Sequence, residues 1–269
     1  MMSANPDDCS AAVLNNGNIV IAYSATWSEE TFDEFLGAGR VDIIDLAKYD
    51  DVNSGALTFE PVFFAADVPE DEIDVFKSDE SDYCNTKYYS ATALDNGNAL
   101  VAYRYEGIIP RYDYGTEGKG KVVIINSINS RPGIVSGPKV FNAGGTRHIS
   151  TTKLNNGNVL IAYNSGGGKV AVVNQSGDVV VSPKVFNSGG TSYVSCTKMN
   201  SGNVLIAYYC SGGKYVVVNP SGDPVSSAKV FSSENILDMS TARFGNGSVL
   251  IAYAGGSYKH GFFVIVEGD

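Results

Sequence analysis

The sequence predicts an all-β fold, a five-bladed β-propeller of four-stranded antiparallel blades in which the last or first blade is incomplete. Three observations predict it. First, the stretch Leu154-Asn155-Asn156-Gly157-Asn158-Val159-Leu160-Ile161-Ala162-Tyr163 recurs in close variants at Leu14 to Tyr23, Leu94 to Tyr103, Met199 to Tyr208 and Phe244 to Tyr253. Second, Leu154, Met199 and Phe244 are spaced 45 residues apart and the flanking sequence repeats with them. Third, a serine stands four residues before every copy, at Ser10, Ser90, Ser150, Ser195 and Ser240. A period of this length holding four short strands marks a propeller blade. A solenoid or open array is the alternative architecture.

One period shows the elements in order. Strand A covers Tyr193 to Met199, and a tight hairpin around Ser201-Gly202 leads into strand B, Val204 to Tyr208. Strand C runs from Lys214 to Val218, Asn219-Pro220-Ser221-Gly222-Asp223 turns it, and strand D covers Val225 to Phe231. The passage to the next strand A reads Asn142-Ala143-Gly144-Gly145-Thr146 in one blade and Asn187-Ser188-Gly189-Gly190-Thr191 in the next. Strands B and C are continuously apolar, as expected where neighbours cover both faces of a blade. The blades fall at about residues 9–65, 87–141, 147–186, 192–231 and 237–269 of a single propeller domain, with an acidic insertion at 66–86. Glu267-Gly268-Asp269 occupies the place of a C/D turn and Met1 aligns with the end of a strand D, so one outer strand is missing. Three explanations stay open: a three-stranded fifth blade, irregular closure by the first eight residues, or a piece of a longer array.

Composition excludes several classes of function. Hydrophobic residues make up 43% and charged residues 18%, with 30 Gly against 9 Pro, which describes a turn-rich globular chain. A net charge of −10 repels phosphate backbones and anionic lipid, so nucleic acid is not expected as a partner. No apolar run approaches the about 18 residues that span a bilayer, so no membrane insertion is expected. The N-terminus shows no secretion signal. The four cysteines (Cys9, Cys84, Cys196 and Cys210) follow no metal-ligand spacing. The hairpin places Cys196 opposite Ala207 and away from Cys210, so free thiols are expected.

Departures from the repeat are where function is usually added. Residues 24–38 are inserted between strands B and C of blade 1 and carry Trp27; residues 104–119 are inserted at the same point of blade 2 and carry Arg104, Tyr105, Arg111, Tyr112 and Tyr114. With the acidic passage, both insertions fall on the face that bears the B/C loops, because each strand reverses direction. His148, Tyr209 and Tyr258 belong to the same face, and a basic residue opens each strand C at Arg40, Lys121, Lys169 or Lys214, with Lys259 near the last. The nine ligand-binding candidates are therefore Trp27, Arg104, Tyr105, Arg111, Tyr112, Tyr114, His148, Tyr209 and Tyr258. Aromatic faces stack on sugar rings while polar neighbours take the hydroxyls. The strand B tyrosines (Tyr23, Tyr103, Tyr163, Tyr208, Tyr253) read as scaffold.

Catalytic and metal motifs are scarce. The acidic run from Asp67 to Asp82 has carboxylates enough for calcium but lacks the spacing and glycine of a calcium loop, and no zinc cluster, phosphate loop or serine elbow is present. No cofactor, metal or catalytic residue is assigned. Glycoside hydrolysis needs only two carboxylates, for which Glu29, Glu30, Asp33, Asp82, Glu106 and Asp113 are candidates. No sialidase-type SxDxGxTW box accompanies them.

The pattern Ser-x-x-x-Leu-x-x-Gly-Asn-Val-Leu-Ile-Ala-Tyr, a Gly-rich gap, Asn-x-Ser-Gly-Asp and Lys-Val-Phe-Asn resembles the propeller-type tandem repeats of large secreted or surface-attached proteins. The resemblance implies an extracellular or cell-surface setting and an adhesive role, and it transfers no catalytic residue. The blade count is also similar to that of tachylectin-type sugar-binding propellers. The expected function is a binding or adhesion module for a glycan or protein ligand, engaged at the B/C-loop face of blades 1 and 2. A five-bladed glycoside hydrolase is one alternative, and a structural subunit assembling through the incomplete blade edge is another.

Overall fold

A computed structural model describes residues 2–27, 36–44, 62–63, 83–109, 118–128, 131–256 and 260–268. Every regular element among them is a β-strand. The chain divides into two compact units, Met1–Gly144 and Gly145–Asp269.

The first unit holds two antiparallel sheets. One is β1 (Met2–Val13), β2 (Ile19–Trp27), β3 (Leu36–Ile44) and β4 (Val62–Phe63); the other is β5 (Tyr83–Ala93), β6 (Ala99–Ile109), β7 (Lys119–Ile128) and β8 (Arg131–Asn142). The second unit holds three: β9 (Arg147–Lys153) to β12 (Val179–Asn187) with β10 (Val159–Asn164) and β11 (Gly168–Val173) between; β13 (Ser192–Lys198), β14 (Val204–Tyr209), β15 (Gly213–Val218) and β16 (Lys229–Ser232); and the three-stranded β17 (Ile236–Arg243), β18 (Val249–Gly255) and β19 (His260–Val266). In every sheet spatial order follows sequence order, the up-and-down meander expected of blades. Strand β16 is shorter than the predicted Val225 to Phe231, because the Ser226 hydroxyl takes the Val217 N–H at 3.2 Å where a ladder carbonyl would.

The recurrent turn has the same backbone hydrogen bonds in all five copies. Leu154 N–H donates to Asn158 O at 2.8 Å and Gly157 N–H to Leu154 O at 3.1 Å, while Asn156 Oδ1 accepts the Asn158 N–H. Gly157 sits at φ 80°, a left-handed conformation open to glycine without penalty. Three residues thus form the turn where a two-residue hairpin was expected, and register shifts by one: Cys196 faces Ile206, not Ala207. Cys9, Cys196 and Cys210 are free thiols.

Strands B and C are the core. Strands β10 and β14 bury five consecutive residues each, and Tyr103, Tyr163 and Tyr208 are fully buried. Each such side chain is worth about 1.5–3 kcal/mol of hydrophobic stabilisation. In the first unit Val20, Val41 and Leu14 pack on Val101, Tyr103 and Val123 of the next sheet. In the second, Leu160, Val170 and Val172 pack on Cys196, Ile206 and Tyr208, and Leu205 and Ala207 in turn on Val249 and Ile251.

The recurrent serine joins consecutive sheets. Ser10 Oγ accepts the Ala91 N–H at 2.9 Å, Ser150 Oγ the Cys196 N–H at 3.0 Å and Ser195 Oγ the Thr241 N–H at 3.0 Å. Each acceptor is the serine of one sheet and each donor the residue just after the serine of the next. Strand A has no backbone partner on that side, so a short side-chain acceptor at this position satisfies an amide that the interface would otherwise leave unpaired. The first turn residue reinforces the joint: Asn155 Oδ1 accepts from Lys198 Nζ and Asn200 Oδ1 from the Arg243 guanidinium, both at 2.7 Å.

Candidate functional site

Two residues before each recurrent serine lies a position whose occupants are Asp8, Tyr88, His148, Tyr193 and Asp238. In three sheets strand A bulges there. Tyr88 and Tyr89 together oppose Tyr103, His148 and Ile149 oppose Tyr163, and Tyr193 and Val194 oppose Tyr208. The first residue of each bulge is left-handed, at φ 57° for Tyr88, 50° for His148 and 51° for Tyr193. Glycine is the usual occupant of such a bulge, and a bulky side chain there costs about 1–3 kcal/mol. The chain bears this cost at the same repeat position three times, each time with an aromatic or imidazole ring. In the first and last sheets the ladder is also irregular, between Ala4 and Cys9 and between Ile236 and Asp238, and the occupant is an aspartate.

The bulges lie at the end of each sheet that carries the B/C turn. Arg147 pairs with Asn164, Ser192 with Tyr209 and Ile236 with Gly255. In the second unit, short Gly-rich turns and the D-to-A passage enclose this end. Asn164 donates from its side chain to Thr191 O, and Asn187 Nδ2 reaches Thr191 Oγ1 at 2.8 Å and Gly189 O at 3.1 Å. This explains why Asn-x-Gly-Gly-Thr recurs: the asparagine knots the passage and the buried threonine anchors it.

Within the second unit the rings form a connected group. The His148 ring lies 5.2 Å from that of Tyr193, which lies 6.4 Å from that of Tyr209 in an edge-on arrangement. Burial and the Arg147 charge hold the His148 imidazole below the ordinary histidine value, while the Asp238 carboxylate pulls it back upward. The net effect is a neutral imidazole at neutral pH, able to donate through one nitrogen and accept through the other. Asp238 Oδ1 accepts the Met239 N–H at 2.8 Å, which orients the carboxylate. Aromatic faces, a neutral imidazole, a carboxylate and a guanidinium at one sheet end suit a polyhydroxylated ligand.

In the first unit the same end carries a charged group. Arg104 and Glu106 form an ion pair at 2.6 Å with side chains only 9% and 11% exposed. Gly118 lies beside them, where a Cβ would run into the Arg104 side chain, and Arg104 Nε is buried with no hydrogen-bond partner among the described residues. Lys121, also buried, stands opposite Tyr103 with its ammonium 3.7 Å from the centre of the Tyr105 ring.

Of the nine residues singled out from sequence, Arg104 and Tyr105 belong to strand β6, which runs on to Ile109 so that the blade 2 insertion begins as strand; His148 and Tyr209 belong to the ring group of the second unit. Trp27 is the last residue of β2, opposite Leu36. Arg111, Tyr112, Tyr114 and Tyr258 lie outside the described residues, as do the carboxylates Glu29, Glu30, Asp33, Asp82 and Asp113. Tyr88, Tyr193 and Asp238 were missed, although their fixed distance of two residues before the recurrent serine was a signal; Arg147, which stands one residue further back from its own serine, was missed too. Among the described residues no three His, Cys, Asp or Glu side chains gather as a metal site.

In sequence, the chain matches no family model and no curated protein. Solved structures are similar in fold. A protein of unknown function from Dyadobacter fermentans DSM 18053 superposes with a TM-score of 0.60 at 11% identity over 97% of this chain and 78% of that one. The Hadza microbial sialidase Hz136 gives 0.58 at 11% identity, over 97% of this chain and 52% of its own. The exo-β-1,3-galactanase 1,3Gal43A from Clostridium thermocellum gives 0.53 at 11%, over 98% and 62%. The chain thus spans about half of that sialidase and less than two thirds of that galactanase. The likeness, together with five meandering sheets, identifies an all-β protein of the β-propeller fold.

Proposed function

We propose that this protein is carbohydrate-active and hydrolyses glycosidic bonds at the bulged end of the A strands in its second unit. The observation that carries the reading is the recurrent position before the serine. Within the second unit, strained bulges hold His148 and Tyr193, and Asp238 occupies the same repeat position and acts on the His148 imidazole. Backbone strain kept at one repeat position is a mark of function. The fold shared with a sialidase and a galactanase supports a glycan as the substrate.

Glycoside hydrolysis requires one carboxyl group to protonate the departing oxygen and a second to activate water or attack the anomeric carbon. Asp238, beside the rings of the second unit, is the candidate for one of these parts. Tyr193 and Tyr209 offer faces for a sugar ring, and the neutral His148 takes or gives a hydroxyl hydrogen bond.

A panel of aryl glycosides and plant and animal oligosaccharides tests this. Turnover should fall by about 100-fold or more in Asp238→Asn. Glycan binding without turnover, lost in His148→Ala and Tyr193→Ala, would support the second reading, a binding module, which the single described carboxylate of the ring group favours. Neither binding nor turnover across the panel would sink both readings.

A further inference from the structure

Four of the five recurrent turns place an asparagine directly before the left-handed glycine, at Asn16-Gly17, Asn96-Gly97, Asn156-Gly157 and Asn246-Gly247, whereas the turn between β13 and β14 has Ser201-Gly202. An asparagine followed by glycine carries an intramolecular reaction of its own. The glycine nitrogen attacks the side-chain carbonyl carbon, ammonia departs, and the cyclic imide opens with water to isoaspartate or aspartate. Glycine favours the attack because no Cβ hinders its nitrogen. The reaction needs the glycine N–H released from its own hydrogen bond and the space around it open, so the contacts of each turn set its rate.

Two of these turns meet the preceding sheet of their own unit, and they meet it differently. At Asn246-Gly247 the glycine N–H donates to Phe244 O at 3.0 Å, and the Asn200 side chain lies so close over the glycine that a Cβ there would run into its amide. Asn200 is itself held, its Oδ1 accepting from the Arg243 guanidinium at 2.7 Å. Gly247 is buried beneath this cap. At Asn96-Gly97 the corresponding residue, Asn15, turns its amide to the carbonyls and leaves the glycine open. Asn15 Nδ2 donates to Leu94 O at 3.3 Å and to Asp95 O at 3.1 Å, and a Cβ at Gly97 would meet nothing within 4 Å. Leu94 O also accepts the Gly97 N–H, so one carbonyl is shared between two donors. The Gly97 bond is the longest of the five turns at 3.3 Å, against 3.0–3.2 Å in the others. Asn96 is exposed, and its Oδ1 accepts the Asn98 N–H at 3.1 Å, which draws electron density from the carbon to be attacked.

We propose that Asn96 is a site of spontaneous deamidation in the folded protein, while the Asn200 cap protects Asn246. The Gly97 nitrogen gives its proton to solvent base and bonds to the Asn96 side-chain carbon; the amide C–N bond breaks, and the nitrogen takes a proton from solvent and leaves as ammonia. Water then opens the imide, and opening toward isoaspartate carries the main chain through the former side-chain methylene. The turn between β5 and β6 gains one backbone atom and a negative charge beside Asp95, so the Gly97 to Leu94 bond and the Asn15 joint loosen together. The Ser201-Gly202 turn has no such reaction, although Ser201 Oγ keeps the equivalent contact with the Asn203 N–H at 3.3 Å. The proposal is independent of any glycan chemistry at the A-strand bulges.

The test is to age the full chain in mildly alkaline buffer made with heavy-oxygen water and to map its peptides by mass spectrometry over time. In the folded protein Asn96 should convert about tenfold or more faster than Asn246, whereas in urea the two rates should converge. Asn200→Ala removes the cap and should bring Asn246 to within about threefold of Asn96. If that variant melts early, Asn200→Ser, which keeps an acceptor for Arg243, serves in its place. Hydrogen exchange at the Leu94 and Gly97 amides should be faster in the aged protein than in Asn96→Ser aged beside it. Equal rates at Asn96 and Asn246 in the folded protein would overturn the proposal. So would an Asn246 that stays slow once the cap is gone, or ageing that leaves the Leu94 and Gly97 amides unaltered.

Discussion

Ser195 Oγ lies 3.0 Å from both the backbone nitrogen and the side-chain hydroxyl of Thr241, joining two sheets through one serine. Removing the hydroxyl leaves the Thr241 N–H at a packed interface without its acceptor. Ser195→Ala should therefore destabilise the second unit by about 1–2 kcal/mol, measured as a lower urea midpoint with an unchanged slope. A loss within error of zero would mean that water replaces the serine.

The left-handed bulge at His148 separates stability from activity. Asparagine tolerates φ near 50° better than histidine does, so His148→Asn relieves part of the about 1–3 kcal/mol strain while losing the ring contact with Tyr193. Stability should be unchanged or raised by about 1 kcal/mol, whereas glycan turnover or binding should fall about tenfold or more. A variant that melts much earlier would show that the ring serves packing alone.

The protonation of His148 can be read directly by NMR of its imidazole. Burial and Arg147 disfavour the charged form, so the midpoint should lie below the ordinary histidine value; Arg147→Gln should raise it and Asp238→Asn should lower it further. Because the unfolded chain takes up this proton at a higher pH than the folded one, the His148 contribution to stability is intact above about pH 6.5. It declines as pH falls through that value and levels off below the folded midpoint. A midpoint at or above the ordinary value would contradict the placement of Arg147.

Thiol reactivity should divide sharply. Burial pushes the Cys196 thiol up to about 12, against the opposing pull of Ser150, whereas Cys9 is exposed. Peptide mapping after maleimide treatment of the native protein should show Cys9 modified and Cys196 protected until denaturant is added. Labelling of both at equal rates would mean that the second unit opens readily.

Much of the fold was legible because its determinants are local. Gly157 and the Asx contact of Asn156 fix the turn within five residues, and the apolar run that follows it has only one way to be buried. The recurrent serine was equally visible, but its purpose was not, since its partner is the amide of a residue 46 positions further on. Cys196 was misplaced by one register position because a three-residue turn and a two-residue turn look alike in sequence. The position holding Asp8, Tyr88, His148, Tyr193 and Asp238 escaped notice for a different reason. What three of its five occupants share is a backbone conformation, and residue identity at that position varies with the ring or carboxylate presented.

The serine joint also bears on how such a chain can change in length. Every joint within Gly145–Asp269 uses the same atoms at the same offset, so a whole 45-residue period could be duplicated or deleted and each surviving neighbour would meet a surface it already fits. A single residue inserted into strand A enjoys no such freedom, because it would carry the serine off its amide and turn every later side chain to the opposite face. Growth in this architecture is therefore quantised: tolerant of gain by the repeat, intolerant of gain by the residue.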